Sequence, residues 1–125
     1  MTVATREEFQ AATALAMSEA TLQSRVVRDA RSLGFLAYHT RDSRGSDRGW
    51  PDLVLAHPAW GVLLVRELKS QKGRVRPEQR AWLNALTALG VDAGIWRPSD
   101  LLDGTVHREL TARRTRPTHE ETPTR

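Results

Sequence analysis

The chain reads as a mixed α/β domain, a β-sheet with helices against its faces. Three observations predict this. Apolar residues recur at helical spacing through residues 22–33, and Val- and Leu-rich runs of strand length occupy residues 52–56 and 61–69. The order of patterns is two helices, three strands, a helix, a strand and a short final helix within 125 residues, enough for one core.

Residues 5–17 predict the first helix. Thr5 and Glu8 have capping-box spacing, and Phe9, Ala12 and Ala16 share one side. Ser18 caps a second helix whose stripe of Leu22, Val26, Ala30 and Leu33 ends at Gly34. Glu19, three residues before Leu22, extends that stripe at its start. Residues 35–40 look strand-like, and residues 41–49 are a polar, two-glycine loop. The runs 52–56 and 61–69 form a hairpin punctuated by His57, Pro58 and Gly61. Pro77 suits the first turn of a third helix, which runs to about residue 89 with Gln79, Trp82, Leu86 and Leu89 on one face. Residues 92–96 form a strand, and residues 100–110 a final short helix. Residues 113–125 offer nothing to bury and are expected to be disordered. The expected division is an N-terminal helical extension at 1–17, a domain at 18–112 and a tail at 113–125.

Composition narrows the chemistry. Without cysteine there are no disulfides, thiolate metal sites or cysteine nucleophiles. No apolar run approaches the roughly 20 residues of a membrane helix, and the first ten residues do not resemble a secretory leader. A cytoplasmic chain with no membrane partner is expected. No glycine-rich phosphate loop or nucleophile elbow is present, so no nucleotide cofactor is expected. Lys and Arg outnumber Asp and Glu 19 to 15, a net charge of +4. That leans toward an anionic partner such as nucleic acid, although base content alone also produces arginine-rich chains.

Asp52 opens one strand, and Glu67-Leu68-Lys69 closes the next. Residues two apart in a strand point to one face, so Glu67 and Lys69 project together while Leu68 points away. In an antiparallel hairpin the start of one strand lies beside the end of its neighbour, which brings Asp52 to Glu67. Two carboxylates this close repel, and one takes a proton unless a cation joins them. Hard oxygen donors suit Mg2+ or Mn2+, which could activate water for phosphodiester hydrolysis. Lys69 would then offset negative charge growing in the transition state. The bland alternative is a surface salt bridge between Glu67 and Lys69.

With Glu19, the Gly49-Trp50-Pro51-Asp52-Leu53 run, Glu67-Leu68-Lys69, Gln79, Trp82, Gly90 and Trp96-Arg97-Pro98 in this order, residues 18–100 resemble a VRR-NUC domain. That family is a branch of the PD-(D/E)XK nuclease superfamily. The resemblance implies a restriction-endonuclease-like mixed sheet flanked by helices. It also implies a metal-dependent DNA endonuclease with Glu19, Asp52 and Glu67 at the metal, joined by the carbonyl of Leu68. Lys69 becomes the catalytic lysine, and Gln79 contacts the water or scissile phosphate. Standalone members of the family resemble Holliday-junction resolvases and act as homodimers, so branched or duplex DNA and a second copy are the implied partners. Restriction or viral DNA processing by the same fold remains open, as does a non-catalytic nucleic-acid-binding module.

Two loops could carry DNA phosphates. Lys72, Arg74 and Arg76 follow Lys69 with no acid between, and Arg41, Arg44 and Arg48 lie in the other loop, diluted by Asp42 and Asp47. The competing reading is a solvated charged surface. Glu19 in a first helical turn and Gln79 at a helix start also have structural explanations. The four tryptophans are expected mainly in the core, with Trp50 the best exception. His39, His57, His107 and His119 lack metal-ligand spacing, with His39 the nearest to the site.

Overall fold

A computed structural model describes residues 3–40 and 48–114. The predicted positions Arg41, Arg44 and His119 lie outside the described residues, as does residue range 115–125.

Helix α1 (Arg6–Ala16) starts at the expected capping box. The Thr5 hydroxyl accepts the Glu8 N–H at 3.1 Å, and the Glu8 carboxylate accepts the Thr5 N–H at 2.8 Å. Helix α2 (Glu19–Ser32) is capped by Ser18, whose hydroxyl accepts the Thr21 N–H at 3.0 Å. Strands β1 (Leu36–His39), β2 (Leu53–His57), β3 (Val62–Leu68) and β4 (Asp92–Trp96) form one sheet in the order β1-β2-β3-β4. The first three are antiparallel, and β4 runs parallel to β3. A parallel neighbour requires a crossover, which α3 (Pro77–Ala88) supplies. Two short helices follow, α4 (Pro98–Leu102) and α5 (Thr105–Thr111). The single helix expected at 100–110 is therefore two. Gly104, with φ +91°, caps the second, and this left-handed residue breaks the helical path.

The core lies on one face of the sheet, here called inner. Leu53, Leu55, Leu64, Leu68 and Trp96 meet Leu22, Val26 and Ala30 of α2 and Val106 and Leu110 of α5. Arg66, also on this face, is buried with its charge paired. Its guanidinium lies 2.9 Å from Asp92 and 3.0 Å from Glu109, over the Trp96 ring, while Trp96 Nε1 donates to the same Glu109 oxygen at 2.8 Å. A buried guanidinium is tolerated only with such partners, and the network ties α5 to the sheet. Beyond α5, Arg113 donates to the Gly61 carbonyl at 3.1 Å.

The structure corrects three assignments of faces. In α1, Phe9, Ala12 and Ala16 are exposed, while Ala14 and the adjoining Met17 are buried and Gln10 donates to the Leu102 carbonyl at 2.8 Å. Helical period identifies stripes, but packing on α4 selected a different one. In α3 the buried residue is Leu83, and Leu89 is exposed. Glu19 is exposed and does not continue the buried stripe of α2.

Candidate active site

The site is built where β2 begins and β3 ends. Pro51 is fully buried, and Asp52 directly precedes β2, its carbonyl accepting the Thr40 N–H at 3.1 Å. Leu53 stands opposite Arg66, which brings the preceding Asp52 abreast of Glu67. The Asp52 carboxylate accepts the Leu68 N–H at 2.8 Å. Glu67, 3% exposed, accepts from Gln79 Nε2 at 2.9 Å and lies 3.6 Å from the Lys69 ammonium. Leu68 turns inward into the core. Strand alternation thus places the residues as the sequence predicts, with Glu67 and Lys69 outward and Leu68 away from them.

Burial raises the pKa of Glu67 most, and the Asp52 charge adds to it. Against the lowering effect of Lys69, the Glu67 carboxyl is pushed up to about 8. Burial also raises Asp52, opposed by the Leu68 N–H and by a hydrogen bond from Glu67, with Glu19 adding repulsion. At neutral pH Glu67 therefore carries a proton.

The other predicted residues take distinct places. Glu19 accepts the Ser70 N–H at 3.4 Å and, with Lys69, Arg74, Val75, Arg76 and Pro77, lines a cleft of about 480 Å³. Arg74 and Arg76 thus share a cleft with Glu19 and with Lys69, the neighbour of the Glu67 carboxyl. Lys72 instead borders a separate cleft between α1 and α4 that Gln10, Leu15 and Leu102 also line. Arg48 pairs with Glu78 at 3.3 Å. His39, from the inner side of β1, meets Gln23 of α2 at 3.4 Å and does not join the pair. Trp50 and Trp82 pack edge to face, 4.9 Å between centroids, beside the site.

Sequence reasoning missed how the basic loop is held. Arg97 donates from one guanidinium nitrogen to three carbonyls, Ser70 at 2.8 Å, Gln71 at 3.2 Å and Gly73 at 2.9 Å. Gln71 adds bonds to Ser99 from both ends of its amide. Nothing local marks Arg97, since its acceptors lie more than twenty residues away. The opposite loop is fixed by Gly49, where a Cβ would fall 2.4 Å from the Glu78 carbonyl, so only glycine allows that approach to α3.

The donor set accommodates a divalent cation. Asp52 and Glu67 offer hard oxygens, and Glu67 Oε1 is buried with no hydrogen-bond partner, an orphan acceptor of the kind a metal satisfies. Among the described residues no three acidic, histidine or cysteine side chains converge. An ion here would rely on the carboxylate pair, a main-chain oxygen, waters and substrate, the mixed coordination that Mg2+ accepts.

Comparison with known proteins gives one match. The family model of the VRR-NUC domain matches residues 4–99, more than three quarters of the chain. That match takes in α1 as well as the sheet. No curated protein and no solved structure matches the chain.

Proposed function

The chain belongs to the VRR-NUC domain family, a nuclease-type domain, and from that premise we propose that it is a metal-dependent endonuclease hydrolysing DNA phosphodiesters. The observation that carries this reading is the meeting of Asp52 and Glu67 at one buried spot with the Lys69 ammonium 3.6 Å from Glu67. Asp52 and Glu67 would hold Mg2+ or Mn2+, with the Leu68 carbonyl as the further donor that the resemblance suggests. Bound there, the ion supplies a water of lowered pKa and polarises a phosphoryl oxygen.

The remaining work falls to the protein. Water adds to phosphorus, one P–O ester bond breaks, and the products are a phosphate monoester and a hydroxyl. Lys69, held beside Glu67, offsets the charge that grows on the phosphoryl oxygens. Gln79 fixes the Glu67 carboxyl, and Arg74 and Arg76 on the cleft wall take flanking phosphates. A preference for branched DNA rests on the likeness to junction resolvases.

The test is cleavage of branched, duplex and single-stranded DNA in Mg2+ or Mn2+, comparing the wild type with Lys69→Ala. Cutting that vanishes on addition of chelator and in Lys69→Ala supports the proposal. No cutting of any substrate with either metal defeats it.

One observation favours a second reading, a non-catalytic nucleic-acid-binding module: no third acid converges on the pair among the described residues. Metal titration separates the two. A rise in melting temperature with Mn2+ that Asp52→Ala abolishes supports a metal site; no rise supports the module.

A further inference from the structure

Residues paired across β1, β2 and β3 form rows, and one row at the site end holds three polar side chains. His39 stands opposite Leu53, so Thr40 falls opposite Asp52, and its N–H donates to the Asp52 carbonyl at 3.1 Å. Asp52 in turn lies abreast of Glu67. Residues directly opposite in an antiparallel pair share a face, with Cβ atoms about 4.5–5.5 Å apart. Thr40 therefore stands on the face of the carboxylate pair, one strand out from Asp52. Along β1 this face is open at Leu36 and Tyr38, but at Thr40 the hydroxyl oxygen is buried.

Among the described residues two buried side-chain atoms lack a hydrogen-bond partner, Thr40 Oγ1 and Glu67 Oε1. Both belong to this row, on either side of Asp52. A buried hydroxyl without a partner is unfavourable, and valine, of nearly the same shape and strand preference, would avoid that cost. The main chain does not call for the hydroxyl either, because the Thr40 N–H is already engaged. An orphaned donor and an orphaned acceptor in one row mark a place where a bound group completes the bonding.

We propose that Thr40 is a further positioning residue of this site: when a divalent ion is held by Asp52 and Glu67, the Thr40 hydroxyl donates to the Asp52 carboxylate and keeps it in its ligating orientation. The inference rests on the metal-site reading of those two acids. Carboxylates that hold metals are themselves hydrogen-bonded, and such outer donors contribute to metal affinity. Asp52 accepts the Leu68 N–H from the β3 side. A carboxylate has about four lone-pair sites, so a donor from the β1 side fits beside an ion. A hydroxyl suits the task because it turns to meet the oxygen and carries no charge to compete with the cation.

The experiment is Mn2+ titration of the full chain, by melting temperature and by calorimetry, on the wild type, Thr40→Val, Thr40→Ser and Asp52→Ala. Thr40→Val removes the donor and keeps the shape. Without metal it should melt no lower than the wild type, because an unbonded hydroxyl has gone. It should nevertheless need about 10-fold more Mn2+ for half-saturation. Thr40→Ser keeps the hydroxyl and should stay within about 3-fold of the wild-type midpoint. A purely structural hydroxyl predicts the reverse for Thr40→Val, a lower metal-free melting temperature with an unmoved Mn2+ midpoint, and that result overturns the proposal. So does an equal rise of the midpoint in Thr40→Ser and Thr40→Val, which would assign the effect to packing. Mn2+ binding that Asp52→Ala abolishes and Thr40→Val leaves untouched overturns the role of Thr40 and leaves the metal site standing. A wild type that binds no Mn2+ overturns the metal site and this inference together.

Discussion

Gln79 and Glu67 are joined by a hydrogen bond of 2.9 Å, and the other end of the same amide accepts the Arg76 N–H at 2.9 Å. One side chain therefore caps α3 and orients a carboxyl of the candidate metal site. Because each end of the amide has its own partner, only one orientation satisfies both. Gln79→Leu leaves Glu67 short of a donor and the helix start uncapped. It is expected to cost about 1–3 kcal/mol of stability and to raise the Mn2+ concentration needed for half-maximal thermal stabilisation about 10–100-fold. Equal Mn2+ midpoints in variant and wild type would rule out the positioning role.

The carboxylate pair predicts an uncommon pH dependence. Glu67 has a folded pKa of about 8, above the 4.5 of a free glutamate, so the folded state holds this proton more tightly than the unfolded state. Its contribution to the stability of the metal-free chain therefore falls as pH rises from about 4.5 to about 8. Asp52, also raised, acts in the same direction. Glu67→Gln should flatten this decline in melting temperature. A metal ion must displace the proton, so the stabilisation by Mn2+ should grow across the same interval, with protons released on binding. A Mn2+ effect that is independent of pH would contradict the proton held on Glu67.

Lys69 is buried with its ammonium 3.6 Å from Glu67, and in the proposed reaction it offsets charge on the phosphate. Lys69→Ala should lower the cleavage rate by about 10²–10³-fold while leaving DNA affinity, read with Ca2+ in place of Mg2+, within a few-fold of wild type. Loss of affinity in proportion to rate would assign Lys69 to binding instead.

The cleft wall predicts which cations meet DNA. Arg74→Ala with Arg76→Ala should reduce the slope of log affinity against log salt by about 1.8 on duplex DNA, about 0.9 for each lost phosphate contact. Lys72, which borders a different cleft, should change the slope far less. Titrations of each variant at several salt concentrations test this, and equal effects of the three side chains would displace the proposed DNA path.

Arg97 contacts no part of the cleft but gathers three loop carbonyls. Arg97→Met leaves these acceptors without a donor. Hydrogen exchange of residues 70–76 should speed up while the β3 core stays protected, and DNA affinity should fall with the loop's order. Unchanged exchange in the loop would show that Gln71 and Gly73 suffice to hold it.

Much of the site was legible because it depends on strand geometry. A period of two sets Glu67 and Lys69 on one face and Leu68 on the other, and a tight hairpin brings Asp52 to their level. Capping at Thr5 and Ser18 was equally readable, since both partners lie within three residues. The α1 face was misread because its 3.6-residue period offers a stripe of Phe9, Ala12 and Ala16 alongside the one that α4 covers. Glu19 was misplaced for a related reason: position on a helix wheel does not tell where a helix leaves the core.

By itself the sequence determined the order of elements, the hairpin that pairs two acids and the side from which a lysine joins them. These follow from local periodicity, caps and turns, whose physics acts over a few residues. Tertiary structure alone decided that Gln79 reaches Glu67, that Arg97 holds the basic loop, that Glu67 keeps a proton near neutral pH and that Leu36, Tyr38 and Leu63 are exposed among the described residues. Each depends on which distant surfaces meet and how far they exclude water, and no spacing within a single element encodes that.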